Sequence, residues 1–454
     1  MGLVQQVLRS NGLFARALRG FAWAGSGHIL SQVIRLASNL ILTRLLFPEA
    51  FGLMSLITVL MVGVAMLSDV GIGVSVAQSR RGDERDFLDT AWSLQVLRGI
   101  SIFLFVLICA WPLSLFYREP AILYLLPAAS LSVLISCLNP IRLETAGRHL
   151  LLGRVVLADL ISQVVTMLIT VVAAILIPSV WSLVIGMILG TAFKLLLVTI
   201  MIPGEPSRFR IDVTAAREIL TFGKWILPST AFGYLLGQGD RLILGAYLSL
   251  EMLGIYNIGQ FLAAAPLVLA TSVVSKILVP LYREYFTHPG EQSAHKLRLM
   301  RFGLTGGVMA LLLCFALSGP FIVTLLYDAR YAQASAIAVL VALACLPQTV
   351  GLTYDWSALA AGDSRSFFFV IAFRGTVQAL AFIIGAEVAG LFGALVAQAT
   401  GFLVGHLALI WLARKHKVWD ALHDATYLVV ALLITAIVTF VHWDLLYAFA
   451  HLNG

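Results

Sequence analysis

Residues Arg80–Arg118 read RRGDERDFLDTAWSLQVLRGISIFLFVLICAWPLSLFYR. One flank of this apolar run carries Arg80, Arg81 and Arg85; the other carries Arg118 alone. About 20 mostly apolar residues suffice for a helix to cross a bilayer, and Lys and Arg beside a span resist translocation. The stretch therefore predicts a membrane span that starts on the cytoplasmic side. Outward from it the same asymmetry repeats. Of the 30 Lys and Arg, 22 fall on alternate connections, from Arg9, Arg16 and Arg19 to Arg414, Lys415 and Lys417. The opposite connections hold only Arg44, Arg118 and Arg330. Both the N-terminus and the Arg414–Lys417 cluster are thus expected in the cytoplasm, which demands an even number of spans between them.

Twelve spans fit, at residues 22–43, 51–78, 92–116, 121–141, 156–177, 180–201, 225–247, 252–275, 303–326, 333–357, 367–387 and 390–413. A further apolar segment, Tyr427 to Phe449, contains His442 and Asp444 and reads as one more crossing. Ahead of the first span, Leu3, Val7, Leu8, Phe14 and Leu18 interleave with Arg9, Arg16 and Arg19, so residues 1–21 suit an amphipathic helix on the inner face and not a cleaved signal.

Composition agrees. With 60% hydrophobic and 12% charged residues and a mean hydropathy of +0.96, the chain is no ordinary soluble protein, for which charged residues run to about 25%. The net charge of +7 follows from the inner loops, so it implies contact with anionic headgroups and no nucleic-acid partner. Cys109, Cys137, Cys314 and Cys345 lie in apolar segments without CxxC spacing and read as small buried apolar residues, with no metal site.

Catalytic motifs are missing too. Gly223-Lys224 lacks the earlier glycine of a P-loop, and Trp225 stands where Ser or Thr is needed. There is no HExxH or GxSxG, and His28, His149 and His406 are isolated. No cofactor is expected and no enzyme. The short outer loops argue against a polymerase or ligase of glycan assembly, which carries a large extracytoplasmic domain.

A polar connection at 202–224 divides the chain into blocks 22–201 and 225–413, leaving 414–454 as a basic cluster and one apolar segment. Six spans per block make any repeat parallel, about an axis along the membrane normal. Asn39–Met54, NLILTRLLFPEAFGLM, aligns with Arg241–Tyr256, RLILGAYLSLEMLGIY, at a constant offset of 202. Leu40, Ile41, Leu42, Leu46, Glu49 and Gly52 meet Leu242, Ile243, Leu244, Leu248, Glu251 and Gly254. The predicted fold is all-α: two six-helix bundles related as parallel repeats around a central cavity.

Five cations fall inside spans: Arg35, Arg98, Lys194, Arg241 and Arg374. Each costs a few kcal/mol on insertion scales, so each needs water, a partner or a function. Arg35 is deepest. Arg98 and Lys194 lie where a long stem can reach the inner headgroups. Asp69, in LSDVGIG, is a candidate partner for Arg35, and Asp240 is a candidate for ion or proton coupling. Asp159 and Asp355 read as hydrated interfacial groups.

The stretches LASNLILTRLLFPEAFGLMSL, MLSDVGIGVSVAQ and DFLDTAWSLQVLRG, then FGKWILPS (222–229) and GDRLILGAYLSLEMLGIYNIGQ (239–260), carry a family resemblance. Over roughly residues 15 to 415 the chain resembles the bacterial polysaccharide flippases of the O-antigen and exopolysaccharide type, in the multidrug/oligosaccharidyl-lipid/polysaccharide exporter superfamily. The resemblance implies a V-shaped pair of bundles in the inner membrane. It also implies translocation of an undecaprenyl-diphosphate-linked oligosaccharide for lipopolysaccharide or exopolysaccharide synthesis, beside membrane lipids, a polymerase and a chain-length regulator. Arg35, Arg98, Arg374, Lys194 and Arg241 could host the diphosphate. A cation-coupled multidrug exporter of the same superfamily is the alternative, though it would favour acids over arginines in the first bundle. A scramblase or scaffold stays open. Fourteen-helix relatives carry two spans where this chain shows one after Arg414.

Overall fold

The computed structural model describes residues 13–148 and 152–453. The expected amphipathic segment therefore lies largely outside the described residues. Among these there is no strand, and the regular elements are all helical. In order the helices are α1 (Leu13–Leu45), α2 (Pro48–Leu67), α3 (Ile72–Gln78), α4 (Arg85–Phe116), α5 (Ile122–Cys137), α6 (Arg142–Arg148), α7 (Leu152–Leu176) and α8 (Val180–Met201). There follow α9 (Val213–Tyr247), α10 (Leu250–Thr287), α11 (Glu291–Leu326), a 3₁₀ turn (Ala329–Tyr331), α12 (Ala334–Gly351), α13 (Asp355–Ala360), α14 (Ser364–Lys415), α15 (Ala421–Val441) and α16 (Trp443–Asn453). Nine helical stretches among the described residues are long and apolar enough to span a membrane, so the chain is a multi-pass membrane protein.

Helix ends follow local chemistry. Ser249, Asp363 and Asp420 cap α10, α14 and α15, their side-chain oxygens accepting from the N–H groups of Met252, Ser366 and Leu422. Glycine marks two interruptions. The span expected at 51–78 stops at Leu67 and restarts at Ile72, with Gly71 at φ 65. The spans expected at 367–387 and 390–413 are the two helical arms of α14, a hairpin broken at Ala389 and Gly390, the latter at φ 54.

The basic connections are shorter than hydropathy suggests. At 38 residues α10 is about 57 Å long, well beyond a hydrocarbon core, so its basic end projects as helix. The 202–224 connection likewise becomes helical at Val213. The segment expected at 427–449 resolves into one crossing-length helix, α15, and the short α16 beyond His442.

Two compact units emerge. The first comprises Met1–Phe47 and Ile57–Thr230, the second Pro48–Leu56 and Ala231–Gly454. In the first, α7 packs on α8 and α1, and α4 on α5. The 202–212 connection is strapped to α4: the N–H groups of Arg208, Arg210 and Asp212 donate to Asp89, Ser93 and Thr90, each at 2.9 Å. All three acceptors are buried. In the second unit α12 is the hub, buried on nearly every face and packed against α10, α11, α14 and α15. Its sequence, ASAIAVLVALACLPQTVG, is apolar all round, as a central helix must be. Not all the cysteines are interior: Cys137 and Cys345 are buried, Cys109 is half-buried and Cys314 is exposed.

Candidate functional site

Each unit contains a polar cluster built where a helix breaks. In the first, the α2–α3 interruption frees helix-end carbonyls for side-chain donors. Arg98 on α4 joins Ser68 Oγ in donating to the Ala65 carbonyl. Its Nη2 donates to the Ala65 carbonyl at 2.5 Å and its Nε to Ser68 Oγ at 3.2 Å, while Nη1 stands 3.5 Å from Asp69 Oδ1. Asp69 also accepts from the Gly71 N–H at 2.9 Å. The expected pairing of Asp69 with Arg35 is thus replaced by Asp69 with Arg98, because the break turns Asp69 toward α4.

Glu144 on α6 enters the same neighbourhood. A Cβ at Gly73 would lie 2.6 Å from its Oε2, so the carboxylate is seated over that glycine. Burial first, then the Asp69 carboxylate, pushes the Glu144 carboxyl above its ordinary range. The chain pattern carried no sign of this, since Glu144 sits outside every apolar run.

In the second unit Arg374 Nη1 donates to Asp355 Oδ1 at 2.5 Å, and the arginine is 6% exposed. Asp355, read from sequence as a hydrated interfacial acid, is in fact the counter-ion of a buried cation. The α14 hairpin makes this possible. A Cβ at Gly405 would meet Arg374 Cγ at 3.2 Å, and one at Gly401 would meet Gln378 Oε1 at 2.6 Å.

Beside this pair, Asp424 on α15 collects four donors. Tyr354 Oη donates at 2.8 Å and Trp419 Nε1 at 3.0 Å; His423 Nδ1 lies at 3.1 Å and His406 Nε2 at 3.2 Å. With His423 donating from Nδ1, its Nε2 accepts from the Thr305 hydroxyl at 3.0 Å. Arg301 lies over the Tyr354 ring at 4.0 Å and donates to the Val418 carbonyl at 2.7 Å. His406 is therefore not isolated. The adjacent His423-Asp424 at the head of an apolar segment was the one available signal.

The remaining cations divide. Lys194 pairs with Asp159 at 2.7 Å. Asp240, 8% exposed, accepts from Tyr256 Oη at 2.6 Å, while its neighbour Arg241 donates to Gln238 Oε1 at 2.8 Å. Arg35 is exposed on α1 and, among the described residues, makes no ion pair.

These elements match known proteins. The family described as "Polysaccharide biosynthesis protein" matches residues 41–336, well over half of the chain. The chain belongs to that family. Asp69, Arg98, Lys194, Asp240 and Arg241 fall within the matched stretch, whereas Arg35, Arg374 and Asp424 lie outside it.

Among relatives, the amylovoran biosynthesis protein AmsL of Erwinia amylovora is 25% identical over 55% of this chain, and the match spans 64% of AmsL, just short of two thirds. The lipopolysaccharide biosynthesis protein WzxC of Escherichia coli is 21% identical over 83% of this chain and 77% of its own length. The fold resembles that of the lipid II flippase MurJ in an inward closed conformation, with a TM-score of 0.66 at 11% identity over 95% of this chain and 98% of that one. An inward-facing MATE multidrug transporter shares it at TM-score 0.61 and 15% identity, over 85% and 94%. The fold alone is therefore shared by proteins named for lipid II flipping and for multidrug transport.

Proposed function

We propose that this protein is a flippase carrying undecaprenyl-diphosphate-linked oligosaccharide across the bacterial inner membrane for surface polysaccharide synthesis. The observation that supports it most is the family match over residues 41–336, with relatives named for amylovoran and lipopolysaccharide biosynthesis. The same reading puts the N-terminus and the Arg414–Lys417 cluster in the cytoplasm, and makes the protein a carrier and not an enzyme. A polymerase and a chain-length regulator are its natural companions.

Pairing ranks the five embedded cations as diphosphate hosts. A carboxylate already neutralises Arg98, Arg374 and Lys194. Arg35 has none among the described residues, and Arg241 has only an amide. An unneutralised guanidinium grips phosphate oxygens best. Arg35 is thus the leading substrate residue, with Arg241 second, and Asp69 and Asp240 act as charge partners or coupling groups.

Deleting the gene should abolish surface polysaccharide and leave lipid-linked repeat units at the inner leaflet, with wild-type protein restoring export. Unchanged polysaccharide together with raised drug sensitivity would instead favour the multidrug exporter.

A further inference from the structure

Asp424 is ringed by donors, and one of them has a ring nitrogen left over. A carboxylate only accepts, so His406 Nε2 and His423 Nδ1, which face it at 3.2 and 3.1 Å, both carry hydrogen. His423 is then complete, since its Nε2 meets the Thr305 hydroxyl at 3.0 Å. His406 is not. Its Nδ1 keeps a bare lone pair that is buried and, among the described residues, has no hydrogen-bond partner. The whole side chain is only 5% exposed. A buried polar atom left in this way calls for a ligand of its own.

The surroundings of that nitrogen select the ligand. A Cβ on Gly351 would come within 3.2 Å of it, so α12 presents bare backbone there. Gly351 is the last residue of α12. Helix C-termini carry partial negative charge and favour a cation, protonated histidine included. Asp424 favours the same form from the opposite edge of the ring. A metal ion has no place: Asp424 already accepts from Tyr354 and Trp419 besides the two imidazoles, and among the described residues no group of three ligating side chains is set to hold one. A proton fits.

Positive charge nearby is already answered. Arg301 on α11 lies over the Tyr354 ring at 4.0 Å, and the Tyr354 hydroxyl in turn donates to Asp424. Arg374 on α14 is paired with Asp355 on α13, and Asp355 is within electrostatic reach of His406. Tyr282 on α10, bonded to the Thr353 carbonyl, and Tyr427 on α15, against the His423 ring, complete the titratable groups around the cluster. Two arginines and two aspartates cancel while both imidazoles are neutral. One proton on Nδ1 therefore adds a full charge to a low-dielectric interior. Asp355 then faces two cations, which leaves Arg374 less fully neutralised.

We infer that His406 Nδ1 is a proton-binding site of the second unit, that Asp424 orients the ring and holds the imidazolium, and that export depends on its occupancy. The balance is simple: Nδ1 gains one proton from solvent, Nε2–H stays on Asp424, and no other bond changes. The dependence rests on the transport reading above. His406 and Asp424 lie outside the family-matched residues 41–336, so the site is a feature of this chain and not of the match.

The test uses full-length protein in lipid nanodiscs, its histidine ring nitrogens labelled and followed by NMR over roughly pH 5 to 8, where imidazoles change charge. The His406 signal, assigned by its loss in His406→Gln, should pass from a neutral ring with a bare Nδ1 to an imidazolium. Asp424→Asn should move the midpoint down by about one pH unit or more. A ring that keeps one charge state throughout overturns the site, and an unmoved midpoint overturns the part given to Asp424. Translocation of lipid-linked oligosaccharide into proteoliposomes is then read over the same range. The wild-type rate should change about tenfold, and His406→Gln, which keeps an N–H toward Asp424, should flatten the profile. Gly351→Ala sets a methyl against Nδ1 with the ring intact and should flatten it too, which covers poor folding of His406→Gln. A wild-type profile in either variant overturns the dependence. Wild type that moves no cargo at any pH while His406 titrates refutes the transport reading, and the dependence with it, but not the proton site.

Discussion

Arg374 and Asp355, 19 residues apart, form a 2.5 Å ion pair in the second unit, with the arginine nearly sealed from solvent. The pair joins the start of α13 to the first arm of α14 and sits next to the Asp424 cluster. A cation read from sequence as a substrate host is therefore first a structural partner.

Breaking that pair from one side should be costly. Arg374→Gln leaves a carboxylate with no counter-ion and should destabilise the protein by about 3–5 kcal/mol, whereas Arg374→Gln with Asp355→Asn should recover most of it. Abundance and thermal unfolding in detergent measure both. If the double variant regains abundance but not export, Arg374 also handles substrate.

Arg35 carries the opposite expectation. Arg35→Ala should abolish export while leaving protein level unchanged, and Arg35→Lys should rescue only partly, because an ammonium lacks the planar fork. Since Asp69 is held by Arg98, Asp69→Asn should not mimic the loss. Loss of abundance in Arg35→Ala would show a structural role instead.

Arg98→Ala removes the charged donor to the Ala65 carbonyl and Ser68 at the α2–α3 break, while the Ser68 hydroxyl still serves that carbonyl. A hydrogen bond to a charged group contributes about 1.5–3 kcal/mol, so unfolding should shift by no more than that. Arg98→Lys should restore less than half, as one ammonium cannot span three acceptors. No shift in either variant would show that the break holds itself.

Asp363 staples the two ends of the α14 hairpin. Its Oδ2 accepts from Lys415 Nζ at 2.6 Å and its Oδ1 from the Ser366 N–H at 3.0 Å. The Lys415 bond, then the Ser366 N–H, holds its carboxyl well below the ordinary 3.8. A depressed folded value stabilises fully above the unfolded one and is lost as pH falls through the folded one. Thermal stability should thus decline below about pH 4 in the wild type, and Asp363→Asn should remove that share of the decline while lowering stability at neutral pH. Identical pH profiles would refute the staple.

For topology, Pro206→Cys and Glu251→Cys, both at exposed positions, should label from opposite sides of the membrane in intact cells. Labelling of both from outside would overturn the two-block orientation.

Sequence alone determined the all-helical membrane class and set the expected orientation. These depend on local properties: a 20-residue apolar window and the Lys and Arg beside it act independently of distant residues. Only the tertiary structure decided who pairs with whom. Asp69 chose Arg98 over Arg35, Asp355 turned from hydrated acid to buried counter-ion, and Asp424 drew in Tyr354 from 70 residues away. A charge in a span must find a partner, but which one depends on helix breaks at Gly71 and Gly390 and on which faces then pack together. Those are distances between segments remote along the chain, and no window of sequence contains them.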